Sequence, residues 1–509
     1  MAADVASLAE RITARAAMMP GDAAAIESAV FDALRAGRAD AATEPMEQLC
    51  AVVPDQPRCL WLLAMLYWQG QRHEAALAAI DTAARLAPAD ADIAMLRAQI
   101  HYETGRPAAV LFQAARDARP DDPQAARSHA GALAAEGRAA DAEALMLAVL
   151  AARPGWVEGQ AYLATLRRLA GDLARDDRGF VEAVAAEPAN PALRLGWFYW
   201  LAKCRDWEGA AQVLAQARRA LGDLPALAAA ALYLASESSD AYDPALFDGV
   251  EDKGDPGLDL ARVRHALRGG AAARAAAIAQ RHLGGPAARL FWPYMAIAWR
   301  LTGDPRAAWL DRPDPFIRAM DIGLDRSELA ELADLLRTLH GAAAPYPDQS
   351  VRGGTQTDRP LLFRHEPIMQ RTREAIEAAV RSYVARLPPA EEGHPLLGTP
   401  REELRFAGSW SVRLRAQGYH ASHSHPAGWI SSALYISLPA ADTMGAPPAG
   451  WLRFGSPPPE LGLDLAPYSE VEPTVGKLVL FPSTLWHGTM PFADGERLSI
   501  AFDIAPPRY

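Results

Sequence analysis

Over roughly the first 310 residues, apolar positions recur every three or four residues in short blocks, as in "LWLLAMLYWQGQRHEAALAAIDTAARLAP". That spacing predicts helices with one buried face. The blocks themselves repeat. Prolines stand at Pro54, Pro88, Pro120, Pro154 and Pro188, with successive gaps of 34, 32, 34 and 34 residues. Eight residues before the last four of them lie Ile80, Phe112, Met146 and Phe180, and five before them lie Ala83, Ala115, Val149 and Ala183. Gly70, Gly105, Gly137 and Gly171 fall between, where a first helix turns into a second. The pattern is a helix-turn-helix unit of about 34 residues. A fifth unit has Leu214 and Ala217 in phase and Gly222 in the place of the proline. Helices continue to about residue 310, as in "LFWPYMAIAWRLTGDPRAAWL", without a steady period. Each unit buries its face only against its neighbours, so the predicted architecture is an α-helical solenoid with a concave face.

The stretch "DRPDPFIRAMDIGLD" breaks the helical pattern with two prolines, and "RSELAELADLLRTLHG" then reads as one more helix. "PYPDQSVRGGTQTDRP" is read as a loop with paired glycines, without the lysine and spacing of a phosphate cradle, and "EPIMQRTREAIEAAVRSYVARLP" as an amphipathic helix. After residue 400 the period changes to two. In "SWSVRLR", Trp410, Val412 and Leu414 alternate with Ser411, Arg413 and Arg415. Further strands are predicted in "WISSALYISL", "GWLRFG", "GKLVLFP" and "ERLSIAFDI". The chain therefore divides, on this reading, into a helical array over 1–310, a linker and helix over 311–345, and an antiparallel β domain with flanking helices over 346–509.

Composition narrows the possibilities. A formal net charge of -11 gives no basic footprint for nucleic acid. No apolar run approaches a membrane span, and "MAADVASLAERITARAAMMPGD" lacks the basic start and apolar block of a secretory signal. Three scattered cysteines, Cys50, Cys59 and Cys204, suit neither a disulfide framework nor a cysteine zinc site. A soluble protein in the reducing cytoplasm is expected.

The candidate chemistry lies in the β region. "YHASHSHPAGWISSALYISL" holds His420, His423 and His425, and His487 follows in "FPSTLWHGTMPF". Residues two apart in an extended segment point to one side, so His423 and His425 reach a common point while His420 points elsewhere unless a bulge intervenes. With His487 on a neighbouring strand they form a three-imidazole set suited to iron, zinc, copper or nickel. Ten residues beyond His487, Arg497 and Ser499 share one face of the next strand, a natural carboxylate site.

Two resemblances follow from these motifs. The repeat, with Leu60, Leu63, Ala64, Tyr67, Gly70, Ala76, Ile80, Ala83 and Pro88 in phase, resembles the tetratricopeptide repeat family. The segments "HSHPAGWISSALYISLP", "GWLRFGSP", "GKLVLFPSTLWHGTMPF" and "ERLSIAFDI" resemble the iron(II)- and 2-oxoglutarate-dependent oxygenases. The second resemblance implies a double-stranded β-helix (jelly roll), iron held by His423, His425 and His487, and 2-oxoglutarate bound by Arg497 and Ser499, with Tyr435 beside its far carboxylate. The family oxidises 2-oxoglutarate with O2 and usually hydroxylates a C–H bond. One departure stands out: His425 occupies the position at which the family usually carries Asp or Glu, and no acidic residue occurs from Leu404 to Ala441. A second assignment makes His425 the first ligand and Ala427 the vacated acid position, as in halogenating members. The same-face spacing favours the three-histidine set.

The domain pairing implies a dioxygenase whose array recruits a peptide or protein substrate. A small-molecule oxygenase or halogenase, a three-histidine oxygenase that does not use 2-oxoglutarate, and a non-catalytic interaction scaffold are the alternatives. Oligomeric state is not legible.

Overall fold

The computed structural model describes residues 23–174, 176–238, 242–250, 254–347 and 349–506. The amino-terminal stretch considered above for signal features lies outside them. Along the chain, first helices span Pro57–Gln69, Ala91–Glu103, Pro123–Ala135, Val157–Leu169 and Pro191–Lys203. Their second helices end at Leu86, Ala118, Ala152, Ala186 and Leu221. Each of the first four ends two residues before its proline, because proline lacks the N–H to continue a helix and restricts the residue before it. Ile80, Phe112, Met146 and Phe180 are at most 1% exposed, whereas Val149 is only half-buried. Gly105, Gly137 and Gly171 take positive φ at their turns, while in the first repeat that conformation falls on Gln71 instead of Gly70. The fifth unit forms as expected, with Leu214 and Ala217 buried and Gly222 at φ 74°.

Two compact units result. As far as described, one comprises residues 23–149 with 360–370, and the other 150–359 with 371–506. The first has its own core, in which Met46, Ala64, Ile80 and Ile100 are fully buried. The second holds the later helices together with the strands. Its helix Ala288–Thr302 shares a hydrophobic cluster with Leu461 and Trp486 of the β region.

Among the described residues, nine strands form two antiparallel sheets. They are β1 (Arg318–Asp321), β2 (Val351–Gln356), β3 (Phe406–His420), β4 (Ile430–Ser437), β5 (Leu452–Phe454), β6 (Ser469–Val471), β7 (Lys477–Pro482), β8 (His487–Thr489) and β9 (Arg497–Ile504). The larger sheet has the order β1-β7-β4-β9-β3-β2 and the smaller β6-β5-β8. Every strand pair is antiparallel. All five strands read from sequence are present. The paired-glycine segment is corrected: it is not a loop but the edge strand β2. Its register shifts between Arg352 and Gly354, and Gly353 at φ 67° absorbs the bulge. A Cβ on Gly354 would lie 2.2 Å from the Arg413 carbonyl oxygen, so this close backbone approach needs glycine. The proline-rich break likewise contains β1, which pairs with β7.

Candidate active site

Strand β9 lies between β3 and β4 and sets the site's axis. Val412 and Tyr435 both pair with Ser499, and Leu414 pairs with Arg497. Period two sends Arg497, Ser499 and Ala501 into a cavity of about 210 Å³, opposite Trp410 and Val412 of β3. Leu498, Ile500 and Phe502, on the other face, are fully buried. The strand is thus hydrogen-bonded along both edges, to β3 and β4, and holds the polar row toward the cavity.

His423 and His425 follow β3 in an extended segment. His423 and His487 exchange backbone hydrogen bonds, N to O, at 2.9 Å in each direction, an isolated bridge to the start of β8. The His425 N–H donates to the Ser483 carbonyl at 2.9 Å. The backbone therefore aims three imidazoles at one point. Their ligand atoms lie within 4.8 Å of one another, and no other group of three such residues is found among the described residues.

Tautomer and charge follow from the partners. His423 Nδ1 lies 2.8 Å from the Ala421 carbonyl, His487 Nδ1 lies 3.0 Å from the Leu485 carbonyl, and His425 Nδ1 lies 2.6 Å from Asp503 Oδ2. Each partner is an acceptor, so each Nδ1 carries the proton and each Nε2 presents a lone pair. His425 Nε2 is buried with no hydrogen-bond partner, and His423 Nε2 has only the Ser350 hydroxyl at 3.4 Å. Burial, followed by the neighbouring histidines, holds His423 and His487 well below the ordinary histidine value. Both imidazoles are therefore neutral at pH 7. Three preoriented imidazoles lining one pocket fit a divalent transition metal.

Asp503 is the functional residue that sequence reasoning missed. It is 6% exposed, and its second oxygen accepts from the Ser431 hydroxyl at 2.6 Å. The acid lacking among the predicted ligands thus reappears behind one of them. The signal was available: Arg497, Ser499, Ala501 and Asp503 continue one period-two row.

At the other end of that row, Arg497 is 3% exposed. Its Nη1 donates to the Gly450 carbonyl at 2.8 Å, its Nε has no partner, and it forms no ion pair among the described residues. Its guanidinium carbon sits 4.9 Å from the Tyr435 ring centre, and the buried Tyr435 hydroxyl also lacks a well-formed hydrogen bond. A buried cation without an anion is costly, and such a site favours a carboxylate or similar anion. Ser499 lies beside it on the cavity wall. His420, three residues before His423, stands outside the set of three. Its Nδ1 meets the Ser350 hydroxyl at 3.0 Å, and burial, with Arg497 adding to it, pushes its pKa down to about 3.

A two-sheet antiparallel domain with a three-imidazole set and an anion-seeking arginine in one chamber has the features of the 2-oxoglutarate oxygenase class. Residues 408–503 match the family described as "Putative 2OG-Fe(II) oxygenase", and residues 33–100 match the tetratricopeptide repeat. Among solved structures, the chain is similar to a prolyl-4-hydroxylase from Pseudomonas putida, at 17% identity and a TM-score of 0.26, covering 40% of this chain and 98% of that one. It is also similar to a tetratricopeptide repeat protein from Parabacteroides merdae, at 14% identity and a TM-score of 0.31, covering 53% and 95%. A third similarity is to MamA from Desulfovibrio magneticus RS-1, at 15% and 0.30, covering 33% and 98%. No curated protein matches. Among the described residues no helix is long and apolar enough to cross a membrane.

Proposed function

We propose that this protein is an iron(II)- and 2-oxoglutarate-dependent oxygenase that hydroxylates a peptide or protein substrate in the cytoplasm. In this reading His423, His425 and His487 hold the metal through Nε2, Arg497 and Ser499 bind the far carboxylate of 2-oxoglutarate, and Tyr435 walls the same end. The observation that carries it is the pairing in one chamber of three convergent imidazoles and a buried arginine that has no counter-ion among the described residues. When bound, iron(II) with 2-oxoglutarate and O2 oxidises an unactivated C–H bond, the keto acid leaving as succinate and carbon dioxide. The chain's own part is to orient the imidazoles, fix the keto acid's far end and keep the chamber walls, including Trp410, Val412 and Phe481, apolar against water. Asp503, as a carboxylate accepting a hydrogen bond from His425 Nδ1–H, compensates in charge for the missing acidic ligand. The repeats favour a protein or peptide substrate, since such arrays serve as binding surfaces.

Stoichiometric succinate formation from 2-oxoglutarate, dependent on iron(II) and O2 and lost in His423→Ala, is the expected result. A three-histidine oxygenase without a keto acid is the second reading, favoured by the absence of an acidic ligand. Oxygen consumption with an organic substrate but without succinate would select it.

A further inference from the structure

Beside the metal chamber, and sharing Gln349, Ser350 and His423 with it, lies a second, larger cavity of about 530 Å³. One side is β-region backbone around Arg352 and Ser422, and the other is made by helices of the same compact unit, through Arg205, Trp207, Tyr233 and Tyr294. Its ionic side chains are four cations, Lys203, Arg205, Arg264 and Arg352, against two carboxylates, Glu237 and Glu460. In a chain of net charge -11, that lining runs against the composition.

The pairing within the cavity is uneven. Arg264 is taken by Glu237, with its Nη2 2.6 Å from a carboxylate oxygen, and by the Tyr294 hydroxyl. Arg205 is paired with Glu460. Arg352 is half-buried and has no ion pair among the described residues. Its Nη1 donates to the Gln349 and Val351 carbonyls, both at 2.8 Å, which anchors the guanidinium while its Nη2 and Nε have no hydrogen bond among the described residues. Burial and the nearby Arg205 both disfavour its charge, while Tyr419 and Glu460 favour it. Two guanidiniums thus face one carboxylate across a cavity that opens beside His423. A second carboxylate completes the cluster, since guanidinium binds carboxylate through paired, charge-assisted hydrogen bonds.

We infer that this cavity is the substrate cleft and that it reads a carboxylate on the substrate, an acidic residue of a peptide, through Arg352. The volume exceeds that of the metal chamber, and Trp207, Tyr233, Tyr294 and Trp486 supply flat apolar walls for flanking residues. The inference rests on the oxygenase reading for what happens to the bound segment, but not for the binding itself.

The test is fluorescence anisotropy with the full chain and a labelled, carboxy-terminally amidated Glu–Ala repeat peptide, its Gln–Ala counterpart, and the Gln–Ala peptide with a free carboxy terminus. The Glu peptide is expected to bind at least about tenfold more tightly than the amidated Gln peptide. Arg352→Gln should abolish that preference, whereas Glu460→Gln, which removes the competing carboxylate, should strengthen it. Arg352-dependent binding of the free-terminus Gln peptide would identify a terminal carboxylate as the group read. Equal binding of Glu and amidated Gln peptides, or an unchanged preference in both variants, would overturn the inference. Arg352-dependent binding in a protein that forms no succinate would uphold the cleft and refute the oxygenase reading instead.

Discussion

Replacing Asp503 with Asn should weaken metal binding without weakening the fold. Asp503 Oδ2 lies 2.6 Å from His425 Nδ1 and Oδ1 accepts from Ser431 at 2.6 Å, in a site where Asp503 is 6% exposed. Asparagine keeps the shape but turns a charge-assisted hydrogen bond into a neutral one of about half the strength. Loss of such an outer partner lowers metal affinity by about 10- to 100-fold, or about 1.4–2.8 kcal/mol. In the metal-free protein the effect has the other sign. A buried carboxylate partnered by a hydroxyl and an imidazole is expensive to desolvate, and a neutral isostere relieves that cost. Anaerobic calorimetric titration with iron(II), paired with thermal melts of the metal-free protein, separates the two. The expected outcome is a weaker metal with an unchanged or raised melting temperature. Unchanged affinity together with a lower melting temperature would mean that Asp503 merely packs, and would refute the reasoning.

Three further outcomes follow from the structure. Phe112, 1% exposed in the repeat core, should cost about 3–5 kcal/mol as Phe112→Ala, read as a lower urea midpoint with binding at the metal site retained. His340, whose ring nitrogens meet Thr355 and Ser411, is pushed from 6.5 down to about 4 chiefly by burial. Its folded pKa is depressed, so as pH falls from about 6.5 to 4 the unfolded chain takes up a proton that the folded chain refuses. Stability is lost over that window at up to about 1.4 kcal/mol per pH unit, and His340→Gln should flatten the slope of unfolding free energy against pH, measured by urea titration, by up to that amount. Gly354→Val should lower the melting temperature more than Gly137→Val. The first meets the Arg413 carbonyl at 2.2 Å, while the second, though at positive φ, meets nothing within 4 Å.

The repeat is readable because its signals are local: a proline two residues past each of four second helices, a large apolar residue eight before it and a smaller one five before it. The strands with alternating apolar residues were readable for the same reason. Strand β2 was not, because its glycines answer to the backbone of β3, a partner some sixty residues away in the chain. Strand β1 was hidden too, since four residues with three exposed side chains carry no apolar alternation. The histidine set followed from spacing, and the sheet adds how it is held, by the reciprocal bridge between His423 and His487. Asp503 is not legible as a partner of His425 because it lies 78 residues beyond it and meets its Nδ1 only through the folding of β9 beside β4. The division of function between repeats and β region also gains content from the fold, since helices beyond residue 150 share a compact unit with the strands and wall the cleft.

The central claim, that one chamber holds a metal on three histidines and a keto acid on Arg497, is tested most directly by an anaerobic optical titration with iron(II) and 2-oxoglutarate. A weak visible charge-transfer band should appear only when both are present. It should vanish in His487→Ala and, at moderate 2-oxoglutarate, in Arg497→Ala. No band in the wild-type protein with iron bound, or a band indifferent to Arg497→Ala, would contradict the account.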